Sequence, residues 1–67
     1  MERIAIVIPA YNAAPWIAEC LDSILAQSYS DWQTIIVDDG STDATADIAA
    51  GYARTDARIR LMSRPNG

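Results

Sequence analysis

Short apolar runs alternate with amphipathic stretches along the 67-residue chain. Residues 3–10 (RIAIVIPA) and 32–37 (WQTIIV) are rich in isoleucine and valine and predict two strands. The consecutive β-branched residues 35–37 are typical of a strand buried on both faces of a parallel sheet. Residues 58–63 (RIRLMS) alternate between polar and apolar side chains. That alternation predicts a third strand.

Two helices are predicted between the strands. From residue 16 to about residue 27, four apolar residues recur at helical spacing and share one face: Ile17, Leu21, Ile24 and Leu25. Pro15 is suited to the first helical position, where its missing N–H has no intrahelical partner anyway. The second helix is predicted from about residue 44 to residue 54, and the preceding Ser-Thr-Asp (41–43) offers three suitable N-cap side chains.

The predicted order is strand, helix, strand, helix, strand. Because crossovers between parallel strands are right-handed, this order predicts an α/β fold, a βαβαβ unit with a three-stranded parallel sheet and helices packed against it. Such a sheet has two open edges, and parallel sheets normally have both faces covered. We therefore predict that the chain is the first half of a larger α/β domain.

Charge and missing residue types exclude several classes of function. The chain carries nine acidic and five basic residues, and its arginines are scattered or lie in the C-terminal third, which argues against a nucleic-acid partner. It contains no lysine and no histidine, so a phosphate-loop lysine, a Schiff-base lysine and a histidine base or metal ligand are excluded within it. The single cysteine, Cys20, permits no internal disulfide, which favours a reducing compartment.

Polar side chains follow the first two strands where they end. Asp38 and Asp39 follow the second strand, and Tyr11 and Asn12 follow the first. Ligands of open α/β sheets bind in the crevice beyond the carboxyl ends of the strands, so both loops are expected to face one crevice. An aromatic face can stack on a base, and a carboxylate can accept a hydrogen bond from an imide N–H. Together they predict a pocket for a nucleobase such as uracil, to which Asn12 and Ser41 add neutral hydrogen bonds.

Each of these residues also has a structural interpretation. Tyr11 is consistent with a packed loop aromatic, residues 41–43 with a helix cap, and Asp38 with a side chain that caps a turn or holds the facing loop. For Asp39 the functional interpretation is favoured, because adjacent carboxylates repel one another and a turn requires only one. The arginines are predicted to lie on a solvated face, although Arg64 lies near the same end of the sheet as the two loops.

Three motifs occur in order along the chain. The first strand ends in Pro-x-Tyr-Asn (9–12), the first helix carries Leu-x-Ser-Ile-Leu-x-Gln (21–27), and the second strand runs into Val-Asp-Asp-Gly-Ser-Thr-Asp (37–43). This combination resembles the N-terminal segment of family 2 glycosyltransferases, inverting enzymes of the GT-A fold, and the similarity extends over essentially all 67 residues. The resemblance implies that the chain is the nucleotide-binding first half of a GT-A, Rossmann-like domain.

The resemblance also implies roles for individual residues. Tyr11 would stack on the uracil of a UDP-sugar, and Asp39 would hydrogen-bond the base. Pro9 and Ala10 would line that pocket, with Asp38 beside the nucleotide as a less direct contact. The implied reaction transfers the sugar from the nucleotide to an acceptor hydroxyl with inversion at the anomeric carbon. A divalent cation, Mg²⁺ or Mn²⁺, would offset the charge of the leaving diphosphate.

The chain departs from the family pattern in what it lacks. The family's metal-binding Asp-x-Asp lies further along, and no two aspartates of this chain have that spacing. The family's catalytic base and acceptor-side region also come later. Residues 1–67 are therefore predicted to be a partial nucleotide-sugar-binding domain with no catalytic and no metal-ligating residue, inactive by itself.

Other interpretations differ in class. A signalling receiver domain has its acidic pair after the first strand and requires a lysine, and a dinucleotide-binding fold requires Gly-x-Gly-x-x-Gly there; the chain has neither pattern. A truncated, non-catalytic nucleotide-binding or interaction remnant stays open. Trp16 and Trp32, otherwise predicted to pack, would then form its contact surface with the unpaired sheet edge.

The expected location is the cytoplasm. No apolar run reaches transmembrane length, and the N-terminus lacks a signal-peptide pattern. Membrane association, at the inner face, would need segments that this sequence does not contain. The sequence leaves the sugar, the acceptor and the oligomeric state open.

Overall fold

A computed structural model describes residues 4–27 and 31–65. Helices and strands alternate in it: β1 (Ile4–Ala10), α1 (Ala14–Ala26), β2 (Trp32–Asp39), α2 (Thr45–Thr55) and β3 (Ile59–Arg64). The strands form one parallel sheet in the order β1-β2-β3. This confirms the predicted α/β class, the element order and the pairing of the first two strands. Arg3, the first residue of the predicted first strand, lies outside the described residues.

Two strand ends differ from the predicted ones in a way that affects the site. β2 continues to Asp39, because Asp38 pairs with Ala10 on one side and Asp39 pairs with Arg64 on the other. β3 reaches Arg64, one residue beyond its predicted end, through the same pairing. Both adjacent carboxylates therefore belong to a regular strand, in which successive side chains point to opposite faces.

Helix α1 begins at Ala14, one residue before the predicted first helical residue, Pro15. The N–H groups of Trp16 and Ile17 both donate to the Ala13 carbonyl, at 3.0 and 2.8 Å, so helical bonding starts there. Pro15 lies in the first turn, where its missing N–H leaves no bond unmade. Trp16 is exposed, which contradicts its predicted packing; the neighbouring Ile17 points into the core instead.

The core lies between one face of the sheet and the two helices. Along β2 burial alternates strictly, with the even-numbered residues from 32 to 38 buried and the odd-numbered ones half-buried. The buried apolar residues come from all five elements and the β1–α1 loop: Ile8, Ala10, Ala13, Ile17, Leu21, Trp32, Ile36, Ala49 and Ile59. The burial of Trp32 confirms that this tryptophan packs in the interior.

The opposite face of the sheet is left uncovered by the residues that the structure describes. Val7 and Met62 are exposed there, and Ile35 and Val37 are half-buried. The prediction that the second strand is buried on both faces is therefore wrong for this part of the chain. The strand order β1-β2-β3 explains this, because two right-handed crossovers in the same direction place both helices on one side.

The amino-terminal end of the sheet is held by a stacked ion pair. The Arg58 guanidinium lies 4.0 Å from the centre of the Trp32 ring, and its Nη2 donates to Asp56 Oδ2 at 2.8 Å. Hydrogen bonds from Arg58 lower the pKa of the Asp56 carboxyl from its ordinary value of 3.8. These contacts fix the entry into β3 at the end of the sheet remote from the polar loops.

A hydrogen bond joins the two helices on their outer side. Tyr52 Oη donates to Asp22 Oδ1 at 2.6 Å, and this carboxylate raises the pKa of the Tyr52 phenol above its ordinary value of 10.0. Within residues 4–27 and 31–65, neither helix has the length and apolar character needed to cross a membrane.

The buried hydroxyl of Thr34 has no hydrogen-bond partner among the described residues. Thr34→Val keeps the β-branched shape and removes a polar group that lost its water on folding. We therefore expect the free energy of unfolding to rise by about 1 kcal/mol, equivalent to about 4–8 °C in the melting temperature of a chain this size. Thermal unfolding followed by circular dichroism measures the change, and a lower melting temperature would contradict the expectation.

Candidate functional site

The carboxyl ends of all three strands meet at one edge of the sheet. Ala10 pairs with Asp38, and Asp39 pairs with Arg64, so the chain after β1, the chain after β2 and the end of β3 lie side by side. This confirms the expectation that the loops after the first and second strands share one end of the sheet. Arg64 joins them there.

Asn12 and Ser41 bond the two loops to each other. The Asn12 N–H donates to Ser41 Oγ at 2.9 Å, and the Thr42 N–H donates to Asn12 Oδ1 at 2.8 Å. Asn12 has a φ of 50°, in the left-handed region that asparagine tolerates better than most residues. The two side chains proposed as neutral ligand contacts are thus engaged in fixing the loops.

A second set of bonds ties the starts of both helices together. Thr45 Oγ1 accepts from the Ala13 N–H at 2.7 Å and donates to Asp43 Oδ1. Asp43 also accepts from the N–H groups of Ala14 (3.2 Å) and Thr45 (2.9 Å). The N-cap of α2 is therefore Ala44, whose side chain cannot cap, and not one of the predicted residues 41–43. Asp43, one residue before the cap, accepts from the Thr45 N–H instead.

The two adjacent carboxylates point to opposite faces of the sheet. Asp38 is 4% exposed on the helix side, where its Oδ1 accepts from the Ser41 hydroxyl. The Asp39 side chain is 42% exposed on the open side, where its Oδ1 accepts from Arg64 Nε at 3.2 Å. Strand alternation separates the two charges, so repulsion between them is weaker than their adjacency in sequence implied. Through Ser41 and Asn12, Asp38 holds the facing loop, one of the two structural roles considered for it.

Exposure sorts the remaining predicted site residues. Tyr11 is 50% exposed directly after β1, and Pro9 is exposed on the open face of the sheet. Ala10 is buried on the helix side and can line a pocket only through its backbone. Tyr11, Pro9 and Asp39 are therefore the predicted residues that a ligand can reach most directly, and their contact with a nucleotide stays a prediction.

The sequence did not single out Thr45, yet its hydroxyl holds the β1–α1 loop. Arg64, predicted to lie on a solvated face near the two loops, is exposed and also pairs with the carboxylate predicted to bind the base. The usable signal for Arg64 was its position at the end of a strand parallel to and next to the one that ends in Asp39.

The described residues do not fit a divalent cation site. Within residues 4–27 and 31–65, no three histidine, cysteine, aspartate or glutamate side chains are grouped so that they could hold a metal ion. Asp38 and Asp39 cannot share an ion because they lie on opposite faces of β2.

The pKa of Asp43 is lowered from its ordinary value of 3.8, first by the Thr45 hydroxyl and then by the backbone N–H groups it accepts from. A carboxyl with a depressed pKa in the folded state stabilises the fold above its unfolded pKa, and this stabilisation is lost as pH falls through the folded value. We therefore expect stability to fall with acidification below about pH 4. Asp43→Asn, which keeps an acceptor oxygen but does not titrate, should flatten that acid limb.

Urea unfolding at pH 6, 4 and 3 measures this dependence. Glu19→Gln is the matched control, because Glu19 is an exposed acid on α1 whose side chain has no hydrogen bond among the described residues. An acid limb equally steep in wild type and Asp43→Asn would contradict the role given to Asp43.

Known glycosyltransferases match nearly the whole chain. The profile of the family described as Glycosyl transferase family 2 matches residues 5–67. The uncharacterized glycosyltransferase EpsJ of Bacillus subtilis (strain 168) is 47% identical over 64 residues, which make up 96% of this chain and 19% of that protein. Chondroitin synthase of Pasteurella multocida (strain Pm70) is 44% identical over 64 residues, which make up 96% of this chain and 7% of the synthase.

A solved structure shares the fold. Mannosyltransferase PcManGT from Pyrobaculum calidifontis, in complex with GDP-Man and Mn²⁺, superposes with a TM-score of 0.76 and 34% sequence identity. The match covers 94% of this chain and 19% of the mannosyltransferase chain. This chain thus spans no more than 19% of the length of the proteins with which it is compared here.

Proposed function

Because this chain belongs to glycosyl transferase family 2, we propose that it forms the nucleotide-binding part of an enzyme that transfers a sugar from a nucleotide donor to an acceptor hydroxyl. The proposed donor is a UDP-sugar, and the proposed transfer inverts the anomeric carbon. The relatives named above are a glycosyltransferase and a chondroitin synthase by their descriptions, and the mannosyltransferase binds the nucleotide sugar GDP-Man. These similarities support a nucleotide sugar as the donor.

One observation supports the position of the base. The exposed aromatic ring of Tyr11 directly follows β1, and the exposed carboxylate of Asp39 is the last residue of the adjacent strand β2. Open α/β sheets bind ligands at this end of their strands. Stacking on an aromatic ring contributes about 1–3 kcal/mol per base. A carboxylate that accepts the imide N–H adds direction to this contact.

The loop network supports a preformed pocket. Bonds through Asn12, Ser41 and Thr45 fix the loops before any ligand arrives. Tyr11 is the residue immediately before this bonded segment, so its backbone position is set by the same contacts. A pocket that is ordered in advance loses less conformational entropy on binding, which favours affinity.

A divalent cation is proposed for the transfer, as Mg²⁺ or Mn²⁺, with ligands outside the described residues. The Mn²⁺ ion in the mannosyltransferase complex supports a cation for this class of enzyme. When bound, such an ion offsets the charge of the leaving diphosphate. The acidic side chains described here contribute to recognition of the base and to the structure of the loops, not to the cation.

Titration of the ¹⁵N-labelled chain with UDP, followed by two-dimensional ¹H–¹⁵N NMR, tests the proposal. We expect shifts confined to residues around Tyr11 and Asp39, while the outer side of α2, around Asp47 and Thr55, stays unchanged. GDP, titrated in parallel, is expected to bind more weakly than UDP. A well-dispersed spectrum that no nucleotide perturbs would contradict nucleotide binding and favour a non-binding remnant.

A further inference from the structure

We propose that Arg64 is a positioning residue that sets how many hydrogen-bond acceptors Asp39 offers to a base, and thereby favours uracil over guanine. The inference rests on the proposed function, because it assumes that Asp39 receives the base. It goes beyond that function by naming a residue, outside the two loops, that selects the nucleotide.

Arg64 contacts one oxygen of the Asp39 carboxylate. Asp39 and Arg64 are register partners on neighbouring parallel strands, so their side chains leave the same face of the sheet next to each other. Arg64 Nε donates to Asp39 Oδ1 at 3.2 Å. Arg64 therefore occupies one lone pair of Oδ1 and restrains its direction, while Oδ2 accepts no hydrogen bond from the residues that the structure describes.

The exposure of the pair shows that it contributes little to folding. The Arg64 side chain is 67% exposed and that of Asp39 is 42% exposed, and ion pairs this accessible to water stabilise proteins only weakly. The Arg58–Asp56 pair differs, because Arg58 also stacks on the buried Trp32 ring. What remains for Arg64 at this position is its effect on the orientation and accepting capacity of Asp39.

Uracil and guanine differ in the number of hydrogen-bond donors that they present to a carboxylate. Uracil presents a single ring N–H between two carbonyl groups, which one carboxylate oxygen satisfies. Guanine presents a ring N–H beside an amino group, and this pair of donors is best satisfied by both oxygens of a carboxylate. A carboxylate with Oδ1 held by Arg64 therefore matches uracil, and leaves a guanine donor poorly paired at a cost in affinity.

The charge of Arg64 provides a competing explanation that makes a different prediction. Three other arginines are described: Arg54 in the last turn of α2, Arg58 directly before β3 and Arg60 near the start of β3. Arg64 is thus the described cation closest to the carboxyl ends of the strands, where the nucleotide is proposed to bind. A purely electrostatic role, attraction of the diphosphate, would raise the affinity for UDP and GDP equally and would leave their ratio unchanged.

The experiment is calorimetric measurement of UDP and GDP dissociation constants for the wild-type chain, Arg64→Met, Arg64→Lys, Asp39→Asn and the Asp39→Asn/Arg64→Met double variant. For Arg64→Met we expect the preference for UDP over GDP to fall by about tenfold. Arg64→Lys, which can still pair with Asp39, should retain part of the preference. In the Asp39→Asn background, Arg64→Met should leave the ratio unchanged.

Arg60→Met is the matched control. It is the same substitution on the same strand and the same face, at an exposed residue that pairs with Ile35 away from the loops. Its UDP-to-GDP ratio should equal that of the wild type. Circular dichroism of each variant checks that the fold is retained, which the exposure of both arginines leads us to expect.

The outcomes separate this inference from the proposed function. A wild-type chain that binds neither nucleotide overturns both. A chain that binds nucleotides, while Arg64→Met weakens UDP and GDP by the same factor or changes neither, overturns the role of Arg64 alone. A wild-type preference for GDP also overturns it, since Arg64 would then not select uracil. A lower UDP-to-GDP ratio that depends on Asp39 supports it.

Discussion

Asp39→Asn is expected to weaken UDP binding by about 10- to 100-fold, the largest effect on affinity of any single substitution at this site. An ionised acceptor is replaced by a neutral amide that also loses its attraction for Arg64 Nε. Hydrogen bonds to a charged group contribute about 1.5–3 kcal/mol, which corresponds to that range of affinity. Isothermal titration calorimetry of the chain with UDP measures the effect.

The fold is expected to tolerate this change. The Asp39 side chain is 42% exposed, and it accepts a hydrogen bond from an arginine that is itself exposed. Glu19→Gln removes one negative charge from the exposed surface of α1 and serves as the control, with an unchanged dissociation constant. If Asp39→Asn binds UDP as tightly as the wild type does, Asp39 does not receive the base.

Thr45→Val is expected to cause the largest loss of stability among the loop substitutions, about 2 kcal/mol in the free energy of unfolding. The Thr45 hydroxyl is fully buried, accepts from the Ala13 N–H and donates to Asp43. Valine fills the same space but leaves the buried Ala13 N–H without its partner. The melting temperature, followed by circular dichroism, should fall by about 8–16 °C.

Thr42→Val is the matched control for that loss. Thr42 is exposed in the same loop, and its backbone N–H, which the substitution keeps, makes the shorter of its two bonds to Asn12. Its effect should stay within about 0.5 kcal/mol. A Thr45→Val chain as stable as the control would contradict the role of Thr45 in joining the loops. Together with Thr34→Val, which should stabilise, the same substitution is expected to have three different outcomes according to what each hydroxyl contacts.

The fold could be predicted from the sequence because its signals are local. The isoleucine- and valine-rich runs predicted β1 and β2, and apolar residues at helical spacing predicted α1. The element order then left few topologies open, since parallel crossovers are right-handed. The described helices cover only one face of the sheet because of the strand order β1-β2-β3. Hydrophobic periodicity within each element does not determine that order.

The site was harder to predict because its contacts join distant parts of the chain. The bonds between Asn12 and residues 41–42 span 29 and 30 positions, and that between Ala13 and Thr45 spans 32. Whether such polar side chains bind a ligand or each other depends on how closely the two helix starts approach. Asp38 and Asp39 point to opposite faces because β2 continues two residues beyond its predicted end and includes both of them. Sequence patterns do not locate the end of a strand to within two residues.

The position of the base between Tyr11 and Asp39 is tested most directly by intermolecular nuclear Overhauser effects in the ¹³C,¹⁵N-labelled chain with UDP. We expect cross-peaks between the ring protons of Tyr11 and the uracil H5 and H6 protons, together with a shift of the Asp39 carboxyl carbon. Cross-peaks from uracil to residues on α2 or at the amino-terminal end of the sheet, with none to Tyr11, would contradict the proposed site.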